Sequence, residues 1–228
     1  MPTRERPTHE VGWAHRAVSS VVPFVPMTRS AAPRNELRII AGRWRGRRIR
    51  FPTGTTIRPT PDRVRETLFN WLAPRMSGAH VADLFAGSGA LGLESLSRAA
   101  ASATFVESDA RCVESLRAHC TEFGATGHEI VRGDVLAFLR IPRHAARAPF
   151  DVVFVDPPFD ADLWQVVITA LETGDWLAPE AFVYLEMPVA KALPSLPTGW
   201  SAWREGKAGE VGYHLLRREP KSPATAEA

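Results

Sequence analysis

From residue 80 onward the chain alternates short apolar segments with helical ones, and this alternation restricts the fold more than any other feature. Short apolar segments between helices are typical of strands buried on both faces of a parallel sheet. The predicted strands are Val81–Phe85, Ala103–Glu107, Glu129–Arg132, Asp151–Val155, Phe182–Glu186, roughly Trp200–Arg204, and Val211–Arg217. A tight Lys207-Ala208-Gly209 connection without a helix indicates that the last two strands are antiparallel. We therefore predict an α/β fold with a seven-stranded doubly wound sheet, mostly parallel, that ends in an antiparallel C-terminal hairpin.

The pattern also divides the chain into segments. The predicted helices are Ala90–Ala99, Ala110–Phe123, Val135–Arg140, Leu163–Thr173 and a short Val189–Leu193. Before the sheet, Thr60-Pro61 predicts a capped helix start, and Pro74 predicts the end of that helix. We expect a flexible leader over 1–33, a small basic β-hairpin arm over 34–59, the sheet domain over 60–219 and a disordered tail over 220–228. Met27 stands directly before the basic stretch and is an alternative to Met1 as the start of translation.

Positive charge is concentrated in the arm. The whole chain has a formal net charge of +3, with 28 basic and 25 acidic residues. Between residues 34 and 65, ten Arg stand against only Glu36 and Asp62, which gives this segment +8 and leaves −5 for the rest. A short cationic segment on a weakly anionic body favours contact with nucleic acid.

Cysteine usage and hydropathy indicate the compartment. Cys112 and Cys120 fall in one predicted helix about 12 Å apart, which is too far for a disulfide and favours a reduced, cytoplasmic protein. The stretch Ala17–Met27 faintly resembles a secretion signal, but Pro23 and Pro26 interrupt it. No apolar run approaches the about 20 residues of a membrane span, so we expect no membrane partner. The His residues lack metal-ligand spacing, and no metal site is predicted.

The turn after the first predicted strand has the composition of a ligand-binding turn. It reads DLFAGSG from Asp83 to Gly89 and opens a helix, where glycine permits close backbone approach and the helix start offers free N–H groups. Glu107 ends the second strand, where a carboxylate can accept both hydroxyls of a ribose, and Asp134 after the third is placed for an adenine amino group. Residues 87–92 also match GxGxxG, so an NAD site and a purely structural turn stay open as alternatives.

The segment Asp156-Pro157-Pro158-Phe159 follows the fourth predicted strand and suits a planar substrate with an amino group. Two prolines fix the backbone and remove two N–H donors, so the Asp156 carboxylate and the Pro157 carbonyl form a cluster of acceptors beside an aromatic ring. Such acceptors favour a tetrahedral amino nitrogen whose lone pair is directed at an electrophilic methyl group, while Phe159 stacks on the base. The alternative is a rigid strand-to-helix turn. Hydride transfer needs no such turn, which argues against NAD.

These segments resemble a known family. Asp156–Phe159 resembles the (D/N/S)PP(Y/F) motif of S-adenosylmethionine-dependent amino-methyltransferases that act on nucleic-acid bases, and DLFAGSG resembles their cofactor motif. More narrowly, the chain is similar to the RsmD family over about residues 36–218, through Arg38–Gly46, Arg58–Leu72, Asp83–Arg98 and Val153–Phe159. The resemblance implies a Rossmann-like methyltransferase fold and methylation of the N2 amine of one guanine in 16S ribosomal RNA of the small subunit.

The resemblance also implies roles for individual residues. It implies an S-adenosylmethionine site lined by Asp83, Phe85, Gly87, Gly89, Glu107, Asp134 and Val135. It implies that Asp156, Pro157, Pro158 and Phe159 are catalytic and hold the target guanine. We expect the partner to be 16S rRNA within a small ribosomal subunit or its assembly intermediate, and the protein to be a monomer. Asp160 and Asp162 depart from the expectation by bringing negative charge near an RNA-facing loop.

Arginine in the arm provides the candidate RNA contacts. Guanidinium groups bind phosphates and stack on exposed bases, and the interleaved Trp44 and Phe51 can stack as well. The predicted RNA-binding residues are Arg38, Arg43, Arg45, Arg47, Arg48, Arg58, Arg63 and Arg65. The alternatives are a solvated arginine-rich face and, for Arg58–Arg65, a segment that folds over the cofactor.

Other functions stay open on the sequence alone. An amino-methyltransferase acting on another RNA or DNA base shares the same tetrapeptide. DNA enzymes usually need a sizeable target-recognition domain, and the about fifty residues before the catalytic core better match a small RNA-binding arm. A non-enzymatic RNA-binding factor in ribosome assembly is an alternative of a different class, and an NAD-linked reductase is the third.

Overall fold

The helices and strands follow one another in the predicted order. The computed structural model describes residues 35–53, 60–141 and 143–220. Its strands are β1 (Glu36–Arg38), β2 (Arg48–Arg50), β3 (His80–Asp83), β4 (Ser102–Glu107), β5 (His128–Arg132), β6 (Phe150–Val155), β7 (Leu177–Pro188), β8 (Trp200–Ala208) and β9 (Val211–Arg218). Its helices are α1 (Asp62–Met76), α2 (Ala90–Ser97), α3 (Ala110–Glu122), α4 (Val135–Arg140) and α5 (Trp164–Thr173), with a 3₁₀ turn at Phe159–Ala161.

Seven of these strands form one sheet in the order β5-β4-β3-β6-β7-β9-β8. The pairs from β5 to β7 are parallel, whereas β9 pairs antiparallel with both β7 and β8. The prediction of a mostly parallel seven-stranded sheet with an antiparallel C-terminal hairpin is therefore confirmed. Because the parallel strands run in one direction, the residues that follow β3, β4, β5, β6 and β7 meet at a single edge of the sheet.

Helices cover both faces of the sheet. On one face, α1 contributes Leu68 and Phe69 to a core with Phe154 of β6 and Tyr184 of β7. On the same face, α2 and α3 pack over β4 in a neighbouring core. On the other face, α4 and α5 pack against alternate residues of the same strands. Two-sided burial explains why the central strands are almost continuously apolar.

The arm is a two-stranded antiparallel hairpin of β1 and β2 that is docked on α2. The backbone N–H groups of Ile40 and Ala41 donate to the two carboxylate oxygens of the buried Glu94, at 2.7 Å and 3.0 Å. The Ser97 hydroxyl accepts from Trp44 N at 3.0 Å and donates to the Ala41 carbonyl at 2.6 Å. Both anchors lie on the helix that begins directly after the glycine-containing turn.

Two aromatic residues of the arm differ from the expectation. Trp44 and Phe51 were candidates for stacking on bases, but their exposed fractions are only 5% and 7%. Trp44 packs with Ile39 and Ile49 over α2 and α3, and its ring lies 5.4 Å from that of Phe123. Burying these apolar side chains stabilises the docked hairpin, so the two rings belong to the core.

Three local predictions were wrong. Residues 189–193 form no helix, since Val189 is exposed and Leu193 is the hydrophobic residue of this segment that packs against the core. Pro74 does not end α1, which continues to Met76; a proline in the last turn removes only the hydrogen bond to Asn70, an exposed residue that water can reach. Thr60 does not cap α1. Pro61 occupies the N-cap position, and the Thr60 hydroxyl bonds elsewhere.

Several predictions fall outside the described residues. These are the leader, the choice between Met1 and Met27, the RNA contact of Arg58 and the tail from residue 221 onward. In the part of the chain that the structure describes, no helix has the length and apolar character needed to cross a bilayer.

Candidate active site

The turn between β3 and α2 depends on two glycines with positive φ. Gly87 has φ +51° and Gly89 has φ +73°, and the Gly89 N–H donates to the Ala86 carbonyl at 2.6 Å. A Cβ atom on Gly89 would stand 2.4 Å from Leu116 Cδ1. The positive φ values favour glycine at both positions, and at Gly89 the buried Leu116 leaves no room for a side chain without a shift.

Glu107 lies at the end of β4 beside this turn. The Gly87 N–H donates to Oε2 and the Asp109 N–H donates to Oε1, both at 2.7 Å. A carboxylate oxygen has capacity for two hydrogen bonds, so each oxygen can accept one more. Backbone donors on both sides therefore fix the orientation of the carboxylate.

Asp83 ends β3 and is buried, with an exposed fraction of 4%. One of its oxygens accepts a hydrogen bond from Gly92 N at 3.0 Å. Burial raises the pKa of this carboxyl to about 7, the Gly92 hydrogen bond opposes the shift, and the charge of Glu107 adds to it. Asp83 is therefore close to its midpoint of ionisation at neutral pH.

Asp134 follows β5 and sits next to Glu107, because the Gly133 N–H donates to the Glu107 carbonyl at 3.0 Å. Its carboxylate caps α4, with Oδ1 accepting from Ala137 N at 2.8 Å. Asp134 is exposed, so one carboxylate oxygen can cap α4 while the other accepts a hydrogen bond from a ligand. The adjacent Val135 is buried, and Phe85 is half-buried against the same core.

The Asp156–Phe159 segment follows β6 at the same edge. Asp156 is half-buried, Pro157 is buried and Pro158 is exposed. Phe159 begins the 3₁₀ turn, half-buried, with its ring centroid 6.1 Å from that of Trp164. Burial raises the pKa of Asp156 well above its usual range, and the charges of Glu186 and Asp83 raise it further.

Glu186, which the sequence analysis did not assign, is the neighbour of Asp156 on the next strand. Val155 of β6 pairs with Leu185 of β7, so Asp156 and Glu186 continue the same register and share one face of the sheet. Glu186 is 5% exposed, and its Oε1 accepts from the hydroxyls of Thr60 at 2.6 Å and Tyr184 at 2.8 Å. Burial raises its pKa, against the effect of these two hydrogen bonds. The sequence signal that could have identified Glu186 is an acidic residue near the end of an apolar strand.

The loop after Phe159 is fastened to the β7–β8 connection. Lys191 Nζ forms an ion pair with Asp162 at 2.6 Å and lies 5.0 Å from the centre of the Trp164 ring. Gln165 exchanges two hydrogen bonds with the backbone of Ser195, at 2.8 Å and 3.1 Å. Lys191 therefore offsets part of the negative charge that Asp160 and Asp162 bring to this loop.

Most of the predicted RNA-binding arginines that the structure describes are exposed. These are Arg38, Arg43, Arg45, Arg47, Arg48 and Arg63. The Arg43 guanidinium lies 4.2 Å from the Trp44 ring centre, and that of Arg47 lies 4.7 Å from the Phe123 ring centre. Arg38 pairs with Asp62 at 3.5 Å, and Arg48 pairs with Glu36 at 2.6 Å. Stacking on these buried rings holds Arg43 and Arg47 at the surface of the arm.

Arg65 is the exception, and its assignment as an RNA contact is corrected. Its side chain is fully buried beneath the arm, where one nitrogen donates to the Arg38 carbonyl at 2.9 Å and to Asp62 at 2.6 Å. A side chain without solvent exposure does not reach a phosphate. Arg65 instead connects α1 to the arm.

The chain is similar to several known proteins. The family described as conserved hypothetical protein 95 matches residues 37–217. The chain is 45% identical over 192 residues to the ribosomal RNA small subunit methyltransferase D of Escherichia coli K12, covering 84% of this chain and 95% of that one. A solved Escherichia coli structure described as a methyltransferase is 44% identical with TM-score 0.75, covering 82% of this chain and 100% of that one. An RNA methyltransferase from Salinibacter ruber, solved with S-adenosyl-L-homocysteine, shares the fold at 19% identity and TM-score 0.53, covering 75% and 100%.

Proposed function

Because the chain belongs to the RsmD family of methyltransferases, we propose that it transfers a methyl group from S-adenosylmethionine to the N2 amine of a guanine in 16S rRNA of the small ribosomal subunit. The observation that carries the proposal is the row of carboxylates at one edge of the sheet. They are Asp83, Glu107 and Asp134 on the cofactor side and Asp156 beside the glycine-containing turn. The chemistry of this edge suits a nucleoside on one side and an amino-bearing base on the other.

The residues of the first group fit the methyl donor. The positive φ of Gly87 and Gly89 opens the turn to close approach, and each oxygen of Glu107 keeps capacity for a ribose hydroxyl. Bound there, S-adenosylmethionine supplies an electrophilic methyl group on a sulfonium sulfur. Asp83 lies beneath the turn, where its ionised form favours a cationic ligand. Asp134, with Phe85 and Val135, would complete the adenine end.

Asp156 and the prolines act on the target base. We assign the Asp156 carboxylate and the Pro157 carbonyl as acceptors for the amino hydrogens, which directs the nitrogen lone pair at the methyl group. Phe159 stacks on the base, and Pro158 keeps the turn rigid. Methylation of an amine releases one proton, and the raised pKa of Asp156 makes it a stronger acceptor for that proton than an ordinary aspartate. The transfer is direct, so no group of the chain carries the methyl.

The exposed arginines of the arm would hold the RNA. Their guanidinium groups can bind phosphates and stack on exposed bases. Because the arm is docked on α2, these groups lie on the side of the protein that carries the glycine-containing turn. As parts of the same proposal, the substrate is a small subunit or its assembly intermediate rather than naked RNA, and the enzyme acts as a cytoplasmic monomer.

The proposal is tested with Asp156→Ala and a neighbouring control, Asp160→Ala, which removes an exposed carboxylate from the same loop. Labelled S-adenosylmethionine is incubated with small-subunit particles from cells that lack the protein, and the modified base is mapped. We expect D156A to lose at least about 100-fold in kcat, because acceptors placed for the transition state contribute about that much. D160A should retain activity, and calorimetry should give similar cofactor binding for both variants.

Undiminished transfer by D156A would contradict the assigned role of Asp156. If the wild-type protein binds no S-adenosylmethionine, a non-enzymatic assembly factor is the better explanation. A methyl group mapped to another base identifies one of the other amino-methyltransferases instead.

A further inference from the structure

Glu186 is buried at the same edge and is not used by the mechanism above. Its neighbour in register is Asp156, the acceptor assigned to the amino group, and both side chains face α1. The two hydroxyl donors, Thr60 and Tyr184, both bond to Oε1. Neither hydroxyl uses Oε2, so among the described residues this oxygen keeps its capacity to accept a hydrogen bond.

A guanine presents two neighbouring donors on its Watson–Crick edge, the N1–H and the N2 amino group. Two carboxylates side by side are two neighbouring acceptors. The spacing between adjacent strands of a sheet is about 4.8 Å, so side chains in register can converge on two nitrogens that are bonded to the same ring carbon, C2. Other bases do not match this pair, since adenine has a lone pair at N1 and repels a carboxylate placed there.

We propose that Glu186 is a specificity-determining residue that accepts the N1–H of the target guanine while Asp156 accepts from its N2 amine. This inference rests on the proposed function, because it assumes a guanine that is methylated at N2. The hydroxyls of Thr60 and Tyr184 both donate to Glu186, and these hydrogen bonds favour its ionised, accepting form and oppose the effect of burial.

The first test compares the target guanine with 2-aminopurine at the mapped position, introduced by ligation of the RNA before assembly of the particle. 2-Aminopurine keeps the N2 amine but has an unprotonated N1. We expect the wild-type enzyme to prefer guanine by about 100-fold or more in kcat/KM, because a site built to accept an N–H rejects an analogue that lacks it. Equal rates on the two bases would overturn the inference.

The second test uses Glu186→Gln. The two hydroxyls continue to bond to the amide oxygen, so the NH2 group takes the place of Oε2 and points at N1. The variant should lose about 10- to 100-fold on guanine, the usual effect of replacing a charged acceptor, and should gain on 2-aminopurine. The ratio of the two kcat/KM values should therefore fall by at least about 10-fold compared with wild type.

Glu180→Gln is the matched control, since Glu180 lies on the same strand but pairs with Arg75 and Arg217 away from this edge. It should keep the wild-type preference. An E186Q variant that binds S-adenosylmethionine normally but keeps the full preference for guanine would overturn the inference. If the wild-type enzyme methylates no guanine at N2, the proposed function fails instead, and the two failures are distinguishable.

Discussion

Burial of ionisable side chains is the feature that links individual residues to the chemistry of this protein. Asp83, Asp156 and Glu186 lie at one edge of the sheet, and the pKa of each is raised by burial. Removing a carboxylate from water disfavours its charged form, and each of these groups is paired with only a few hydrogen-bond donors. The arrangement is costly for the free protein and favours a cationic ligand.

The cost at Asp83 can be measured. The folded protein holds a proton on Asp83 up to pH about 7, whereas the unfolded chain releases it near 3.8. In this window the folded state binds more protons, so stability falls as pH rises. Asp83→Asn removes the titration and should become more stable relative to wild type by about 4 kcal/mol between pH 4 and 8. Urea unfolding of both proteins at several pH values measures the difference.

A constant stability difference between D83N and wild type over this range would show that Asp83 titrates normally. Cofactor binding provides a second readout for the same group. Since the ionised form favours a cation, the affinity of the wild-type protein for S-adenosylmethionine should rise as pH passes through 7.

Some residue positions could be predicted from sequence and some could not. Asp83, Glu107 and Asp156 lie at the ends of apolar strands as predicted, because strand and turn patterns are local, while their roles stay predictions. Thr60 was misassigned as a cap since its real partner, Glu186, is 126 residues away in the chain. Arg65 and Trp44 were misassigned for the same reason: their burial depends on how the arm docks, which no local pattern contains.

At the scale of elements, the seven strands of the sheet were predictable and the short segments were not. The strand β6 (Phe150–Val155) contains a distinctive apolar run, whereas Val189–Leu193 has only five residues, of which Leu193 packs partly buried against the core. The docking of the arm could not be predicted from the sequence either. It depends on Glu94 and Ser97, two polar residues of α2 whose burial no sequence pattern predicts.

The docking of the arm predicts a difference between two glycines. Gly42 and Gly46 have φ values of +80° and +83°, so alanine at either position costs about 1 kcal/mol of backbone strain. At Gly42 a Cβ would also stand 1.9 Å from the Ser97 carbonyl oxygen, whereas at Gly46 nothing lies within 4 Å. Gly42→Ala should therefore destabilise the protein by at least about 2 kcal/mol, or displace the arm from α2.

Urea unfolding and limited proteolysis of the arm measure this effect, with G46A as the matched control. We expect G42A to expose the arm to protease and to weaken RNA binding while S-adenosylmethionine binding is kept. Equal stability of the two variants would mean that the contact of Gly42 with α2 is not maintained in solution.

At the scale of the whole molecule, charge separation is the dominant property. The segment from 34 to 65 carries +8 and the remainder −5, although the total is only +3. The acidic part includes the carboxylates that we assign to the cofactor and to the target base. The highest density of positive charge is therefore in the segment from 34 to 65, and the remainder of the chain has a net negative charge.

This separation predicts the salt dependence of RNA binding. Each phosphate contact contributes about 0.7 to 0.9 to the slope of log K against log salt. Replacing Arg43, Arg45 and Arg47 together with Gln should lower the slope by about 2 to 3. Arg204→Gln, an exposed arginine on β8, is the control and should leave the slope unchanged. Fluorescence anisotropy between about 50 and 200 mM salt measures it.

A decrease in affinity without a change in slope would mean that these side chains bind bases rather than phosphates. An equal decrease for R204Q would extend the RNA-binding surface to the far edge of the sheet.

The way in which the arm is attached has a consequence for its evolution. Glu94 and Ser97 hold the hairpin largely through backbone atoms of Ile40, Ala41 and Trp44, so the anchor does not depend on the arginine side chains at the surface. Substitution of those arginines leaves the anchor intact. The RNA preference that we propose for the arm can therefore change through substitutions at its surface, while the helix beneath it and the candidate catalytic edge stay unchanged. The same property makes it a replaceable part for engineering.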